Sequence, residues 1–167
     1  LSGSNELEFL RSHPLTKNRI ADAQSRAQGY EKRKYRDSLD YYLIRNRALV
    51  HFSEVPRQAV TIFSKKANEA KTKQDELKAR YGLALAYSKD KQHAEAIKLM
   101  RDVLSMDPEN LLLQIGILEM HIAAENFFEA EALAASLLNT NPNNYPITML
   151  YNNCLLYTSD AADDETS

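Results

Sequence analysis

Four histidines, His13, His51, His93 and His121, are the side chains best suited to acid–base or metal chemistry, and their neighbours exclude the commonest metalloprotease arrangement. His13 precedes Pro, His51 Phe, His93 Ala and His121 Ile, so no H-E-x-x-H helix, with two imidazoles on one face and a carboxylate base between them, is encoded. His51, His93 and His121 share no ligand spacing and read as surface or packing residues. The single cysteine, Cys154, excludes an internal disulfide framework. No Ser/His/Asp arrangement and no Gly-rich phosphate loop is present. Lys32, Arg33, Lys34 and Arg36, interleaved with Tyr30 and Tyr35, could contact phosphates, although a solvated linker explains the same residues. This stretch of chain therefore reads as non-catalytic, and its chemistry should be that of recognition.

What would position recognition residues is a repeat. Ala96, Leu99, Met100, Val103 and Leu104 step by i, i+3, i+4, i+7 and i+8, and so do Ala130, Leu133, Ala134, Leu137 and Leu138. Each series is one apolar stripe of an amphipathic helix, and the copies lie 34 residues apart. Each helix then meets Pro, Pro108 after Asp107 and Pro142 after Asn141, where the ring would clash with the preceding turn. A further helix precedes each stripe, over 76–89 and 110–125, joined to it by the polar turns Asp90-Lys91-Gln92 and Glu125-Asn126. Helix, turn, helix at this period is the tetratricopeptide unit. The first copy sets Leu83, Ala84, Tyr87, Ala96, Met100 and Pro108 at the repeat's packing positions; the looser second copy offers Ile117, Leu118, His121, Ala130, Leu137 and Pro142.

The predicted fold is all-α, a right-handed superhelical solenoid of antiparallel helix pairs. Repeats are expected at 77–110 and 111–144, a divergent one at 37–73 with helices over 40–52 and 57–70, and a truncated one at 145–153. If the unit repeats in this way, its inner helices line a groove. Lys78, Tyr81, Leu85 and Ser88 would face it from the first copy, and Leu112, Ile115, Glu119 and Ile122 from the second. That mixture suits an extended peptide or a protein edge. Equally, the groove could pack on another domain of the same polypeptide.

Composition agrees with a globular helical chain: 44% hydrophobic and 26% charged residues, with only four Gly and five Pro in 167 residues. No apolar run approaches the roughly 20 residues a spanning helix needs. The last 14 residues, 154–167, open with Cys-Leu-Leu-Tyr-Thr-Ser-Asp-Ala-Ala-Asp, which matches a translated transposase sequencing adapter codon by codon. They are expected to be a disordered assembly artefact. Without Asp160, Asp163, Asp164 and Glu165 the net charge moves from −2 to +2, which gives no strong bias towards nucleic acid or anionic membrane.

Ahead of the repeats, Phe9-Leu10-Arg11-Ser12-His13-Pro14-Leu15-Thr16, followed by Arg19-Ile20-Ala21-Asp22 and Arg26-Ala27, resembles the end of the protease domain in the bacterial zinc metallopeptidase family 48, whose members carry tetratricopeptide repeats directly behind it. The resemblance implies that 1–36 are the end of that domain and a linker helix, that catalytic zinc is held by residues before Leu1, and that the parent protein is a periplasmic endopeptidase serving outer-membrane protein assembly and quality control. It also implies a regulatory role for His13, whose imidazole could occupy the open position of the zinc. The implied partners are outer-membrane protein substrates, their assembly machinery, or the parent's own protease domain. A free-standing repeat adaptor without a protease is the competing reading.

Overall fold

A computed structural model describes residues 16–29 and 37–164, and every regular element in them is helical. The chain forms two compact units that divide between Arg36 and Asp37. The first contains α1 (Thr16–Gln28), a polar helix. His13 and the basic cluster at 32–36 lie outside the described residues.

The second unit contains α2 (Leu39–His51), α3 (Pro56–Asn68), α4 (Lys73–Lys89), α5 (His93–Met106), α6 (Leu111–Ala123), α7 (Phe127–Thr140) and α8 (Tyr145–Asp164). Local chemistry sets the starts. Ser38, Thr72 and Asn110 each turn a side-chain oxygen onto amides of the first turn, to Tyr41, Asp75 and Leu112 at 3.1, 3.0 and 3.1 Å, satisfying donors that have no partner within the helix. Pro108 and Pro142 end α5 and α7 as expected but are exposed, so they do not pack between repeats; their fixed φ and missing N–H stop the helix whether or not the ring is covered.

The two turns inside the repeats share a feature invisible in the residue types. Lys91 and Glu125, 34 positions apart, both adopt the left-handed region, with φ of 62° and 59°. Gln92 N–H then donates to Tyr87 C=O, and Asn126 N–H to His121 C=O, each at 2.9 Å, which closes α4 and α6 with the same Schellman pattern.

Alternate helices α2, α4, α6 and α8 pack side by side, and α3, α5 and α7 pack onto that row. This is the tetratricopeptide solenoid. Its central core joins Tyr81, Ala84, Ala96, Met100, Val103, Leu113 and Ile117, all 4% exposed or less. A second cluster seats α8 on α6 and α7 through Ile115, Leu118, Ala130, Ala134, Leu137 and Ile147. The first pair diverges from the repeat: α2 and α3 barely touch each other, and each packs chiefly on α4.

Close approach to α4 needs Gly82. A Cβ there would stand 2.3 Å from the Phe63 ring of α3. Gly116, again 34 residues on, lies at the matching place on α6, where a Cβ would meet the Met100 methyl at 3.1 Å and the Tyr81 ring at 3.3 Å.

One expectation is corrected at the end of the chain. Residues 154–164 are helical rather than disordered, and α8 runs on from 153 without a break. Cys154 is fully buried, and Ile147 with it covers the apolar face of α7 that a solenoid ending at 153 would leave bare. No Gly or Pro follows Pro146 in α8, and its Leu and Ala residues favour helix, so nothing local stops the element.

His121 replaces, in the second repeat, the Tyr87 of the first, and it is 6% exposed. Its Nδ1 has no hydrogen-bond partner. Burial, then Arg101, pushes its pKa below 6.5, with Glu129 opposing. The folded state therefore binds fewer protons than the unfolded chain, so the stability this neutral imidazole contributes is present above about pH 6.5 and is lost as pH falls through the lowered value. Urea titrations at pH 7.5 and pH 5 should show His121→Gln losing less stability on acidification than the parent sequence; equal losses would place the sensitivity elsewhere.

Candidate recognition groove

The inner row of helices brings part of the predicted groove set together and excludes the rest. Leu85 and Ser88 of α4 and Glu119 of α6 line one hollow of about 360 Å³. Its floor is apolar, from Val50, Leu85, Met120 and Ala123, and its rim carries Arg47, His51, Lys89 and Glu119. Lys78 lies elsewhere, on a hollow beside α2 and α3. Leu112 and Ile122 are half-buried against the two core clusters.

Tyr81 and Ile115 are corrections. Tyr81 is fully buried because α6 closes over it at Gly116, where the absent side chain admits its ring. Ile115, 8% exposed, is covered by α8. Helical spacing placed both on the inner arc, but the neighbouring helix of the row occupies the space they face.

The hollow's polar rim is built by a residue that the sequence did not single out. Arg47 of the divergent α2 reaches across the row to Glu119, 72 residues away, with Nη1 donating to both carboxylate oxygens at 2.7 and 2.6 Å. Its Nη2 and Nε donate to the Tyr81 hydroxyl at 3.1 and 3.3 Å. Burial works against the Arg47 charge, but Tyr81 and Glu119 outweigh it and move its pKa up. Burial likewise raises the Tyr81 phenol, with Arg47 opposing. Three helices of the row are thus tied by one guanidinium.

Two other long-range contacts fix α2. Asn46, 6% exposed, donates its amide to Lys78 C=O at 2.9 Å. The Lys89 ammonium donates to the carbonyls of Val50, His51 and Ser53, placing a cation on the negative end of α2. No pattern in the sequence announces Arg47, Asn46 or Lys89, because their partners are remote and partly backbone. The glycine pair was legible at the repeat spacing.

For metal chemistry the described residues do not fit. His51 is exposed at the end of α2, His93 opens α5 and His121 is buried in α6, and no group of three His, Cys, Asp or Glu among the described residues could hold an ion. Nor is any described helix long and apolar enough to cross a membrane.

Fold and groove together define a tetratricopeptide-repeat chain built for protein–protein interaction, and a family model described as tetratricopeptide repeat matches residues 87–154. The relatives are more particular. The chain is 29% identical over 103 residues, 62% of its own length and 21% of the relative's, to the β-barrel assembly-enhancing protease of Escherichia coli strain K12. Sequences of the same description from Vibrio cholerae and Yersinia pestis are 29% and 28% identical over 102 and 104 residues, covering 61% and 62% of this chain and 21% of each relative. The resemblance to a repeat-bearing protease is borne out by these relatives. The chain spans about a fifth of their length.

Proposed function

We propose that this chain is the non-catalytic interaction and regulatory region of a periplasmic zinc metalloendopeptidase acting in outer-membrane protein assembly and quality control. The observation that carries the reading is the coincidence of repeats and relatives: the similarity to β-barrel assembly-enhancing proteases accompanies a repeat solenoid whose inner face holds an apolar-floored, charge-rimmed groove. A hollow of this kind suits one or two side chains of an extended segment, with main-chain and rim contacts setting its direction. Outer-membrane protein substrates and their assembly machinery are the partners proposed for it. Zinc belongs to the parent protein, and His13 is proposed to control access to it.

Both parts are tested in the intact parent. Ser88→Arg fills the hollow from the last turn of α4, where a cation is tolerated, without touching the core. It should weaken partner capture by roughly tenfold, the size expected for blocking a central contact, while basal peptidase activity is unchanged. His13→Ala should raise basal activity. Undiminished capture by Ser88→Arg overturns the groove, and unchanged activity of His13→Ala overturns the regulatory role.

A further inference from the structure

A second hollow, of about 350 Å³, lies between α2, α4 and the end of α3. Tyr42 and Arg45 reach it from α2, Lys66 and Lys71 from the end of α3 and the loop beyond, and Asp75 and Lys78 from the first turns of α4. Its two carboxylates are already matched. Asp75 accepts from the Thr72 hydroxyl at 2.7 Å and lies 3.4 Å from the Lys78 ammonium, while Glu69 lies 3.8 Å from Lys65. Arg45 and Lys71 have no carboxylate within ion-pair distance, and Lys66 has only the Phe63 ring, 4.9 Å away. Three cations on three elements thus surround one open hollow with no anion of their own.

We propose that this hollow binds an acidic segment of a partner polypeptide, with Arg45, Lys66 and Lys71 each taking a carboxylate. The proposal deepens the interaction role argued above and rests on it. An extended strand sets alternate side chains roughly 7 Å apart on one face, so successive acidic residues can reach separate cations. Tyr42, Ala70 and Ala79 offer apolar surface to the stems of those side chains. A compact dianion such as phosphate suits the site less. The amides at the start of α4, the natural seat for it, are capped by Thr72 and carry Asp75 and Glu76 in the same turn, whose charge repels it.

The test is fluorescence anisotropy on the full chain with a fluorescein-labelled peptide of alternating Glu and Ala. The expected result is binding that weakens roughly tenfold or more when Arg45→Glu, Lys66→Glu and Lys71→Glu are combined, and that also weakens with salt. The control carries Lys91→Glu, Lys98→Glu and Arg101→Glu, with the same net charge but remote from the hollow, and should bind as the parent sequence does. All six positions are exposed, so both variants should keep the parent's circular dichroism. Equal loss in the two variants would reduce the effect to net charge and overturn the proposal. So would absence of binding, or binding of pyrophosphate or of phosphatidylglycerol vesicles in preference to the peptide. A photo-reactive residue at Ser88 in the intact parent separates the two readings. Crosslinking of partner that survives failure of the peptide assay leaves the groove standing and removes the hollow, and the reverse removes the groove.

Discussion

Gly82→Ala should lower the thermal midpoint of this chain by roughly 5 °C or more, although the same change in an isolated helix would raise helicity. The local gain is real: alanine is favoured over glycine in a helix interior by about 0.8–1 kcal/mol. Against it stands the Phe63 ring. Three of its carbons lie 2.3 to 2.8 Å from the Cβ that would be added, a separation no real pair of carbons sustains. The ring is 2% exposed and packed with Val50, Ala59, Leu83 and Ala86, so it cannot swing into solvent. Either α3 moves off α4 or the ring leaves its rotamer. Overpacking of this kind costs about 1–3 kcal/mol, enough at the middle of the range to exceed the helical gain. Gly116→Ala is the internal comparison. There the nearest atom is the end of the flexible Met100 side chain at 3.1 Å, which can yield by a few tenths of an ångström. The expected order in differential scanning calorimetry is Gly82→Ala well below Gly116→Ala, with Gly116→Ala near the parent sequence. Equal midpoints for the two would mean that α3 is not held at the observed distance.

The same glycines mark what the sequence discloses and what it withholds. Period, apolar stripes and terminating prolines together define the repeat, because each acts within a few residues of itself: Ala96, Met100 and Val103 are fully buried as the stripe predicts. Even the divergent first pair is visible as helices, since Ala59 and Phe63 keep the spacing and are buried. What it could not disclose is which side of each inner helix its neighbour covers. Tyr81 and Leu85 both lie on the inner arc, yet Tyr81 is buried under α6 and Leu85 borders the groove, a distinction created by Gly116 on another helix. Arg47 illustrates a stronger limit. Its two partners stand 34 and 72 residues away on helices whose relative placement depends on the whole stack, and no local pattern encodes such a meeting. The tail shows the converse: its codon-level match to an adapter speaks to its origin, while its Leu and Ala content settles its conformation as helix.

Arg47→Ala should destabilise the solenoid by about 1–2 kcal/mol and should do so through two partners rather than one. Glu119 is about one-third exposed (32%), so water recovers part of its lost pairing, and this half of the effect falls towards the small values of surface ion pairs. The Tyr81 hydroxyl belongs to a residue with no exposed surface, and it would lose both guanidinium donors with no water to replace them. A buried polar group left without a partner costs about 1–3 kcal/mol, so the Tyr81 contact should dominate. A double-mutant cycle separates the two. Coupling between Arg47→Ala and Tyr81→Phe should be the larger and insensitive to salt, whereas coupling between Arg47→Ala and Glu119→Ala should shrink as ionic strength rises. The opposite ranking would show that the carboxylate carries the link. Function follows from the same geometry, since Arg47 neutralises the rim of the groove. Its loss leaves Glu119 as an uncompensated charge at the mouth, so an anionic segment should bind Arg47→Ala more weakly than Arg47→Ala combined with Glu119→Gln, even where their stabilities match.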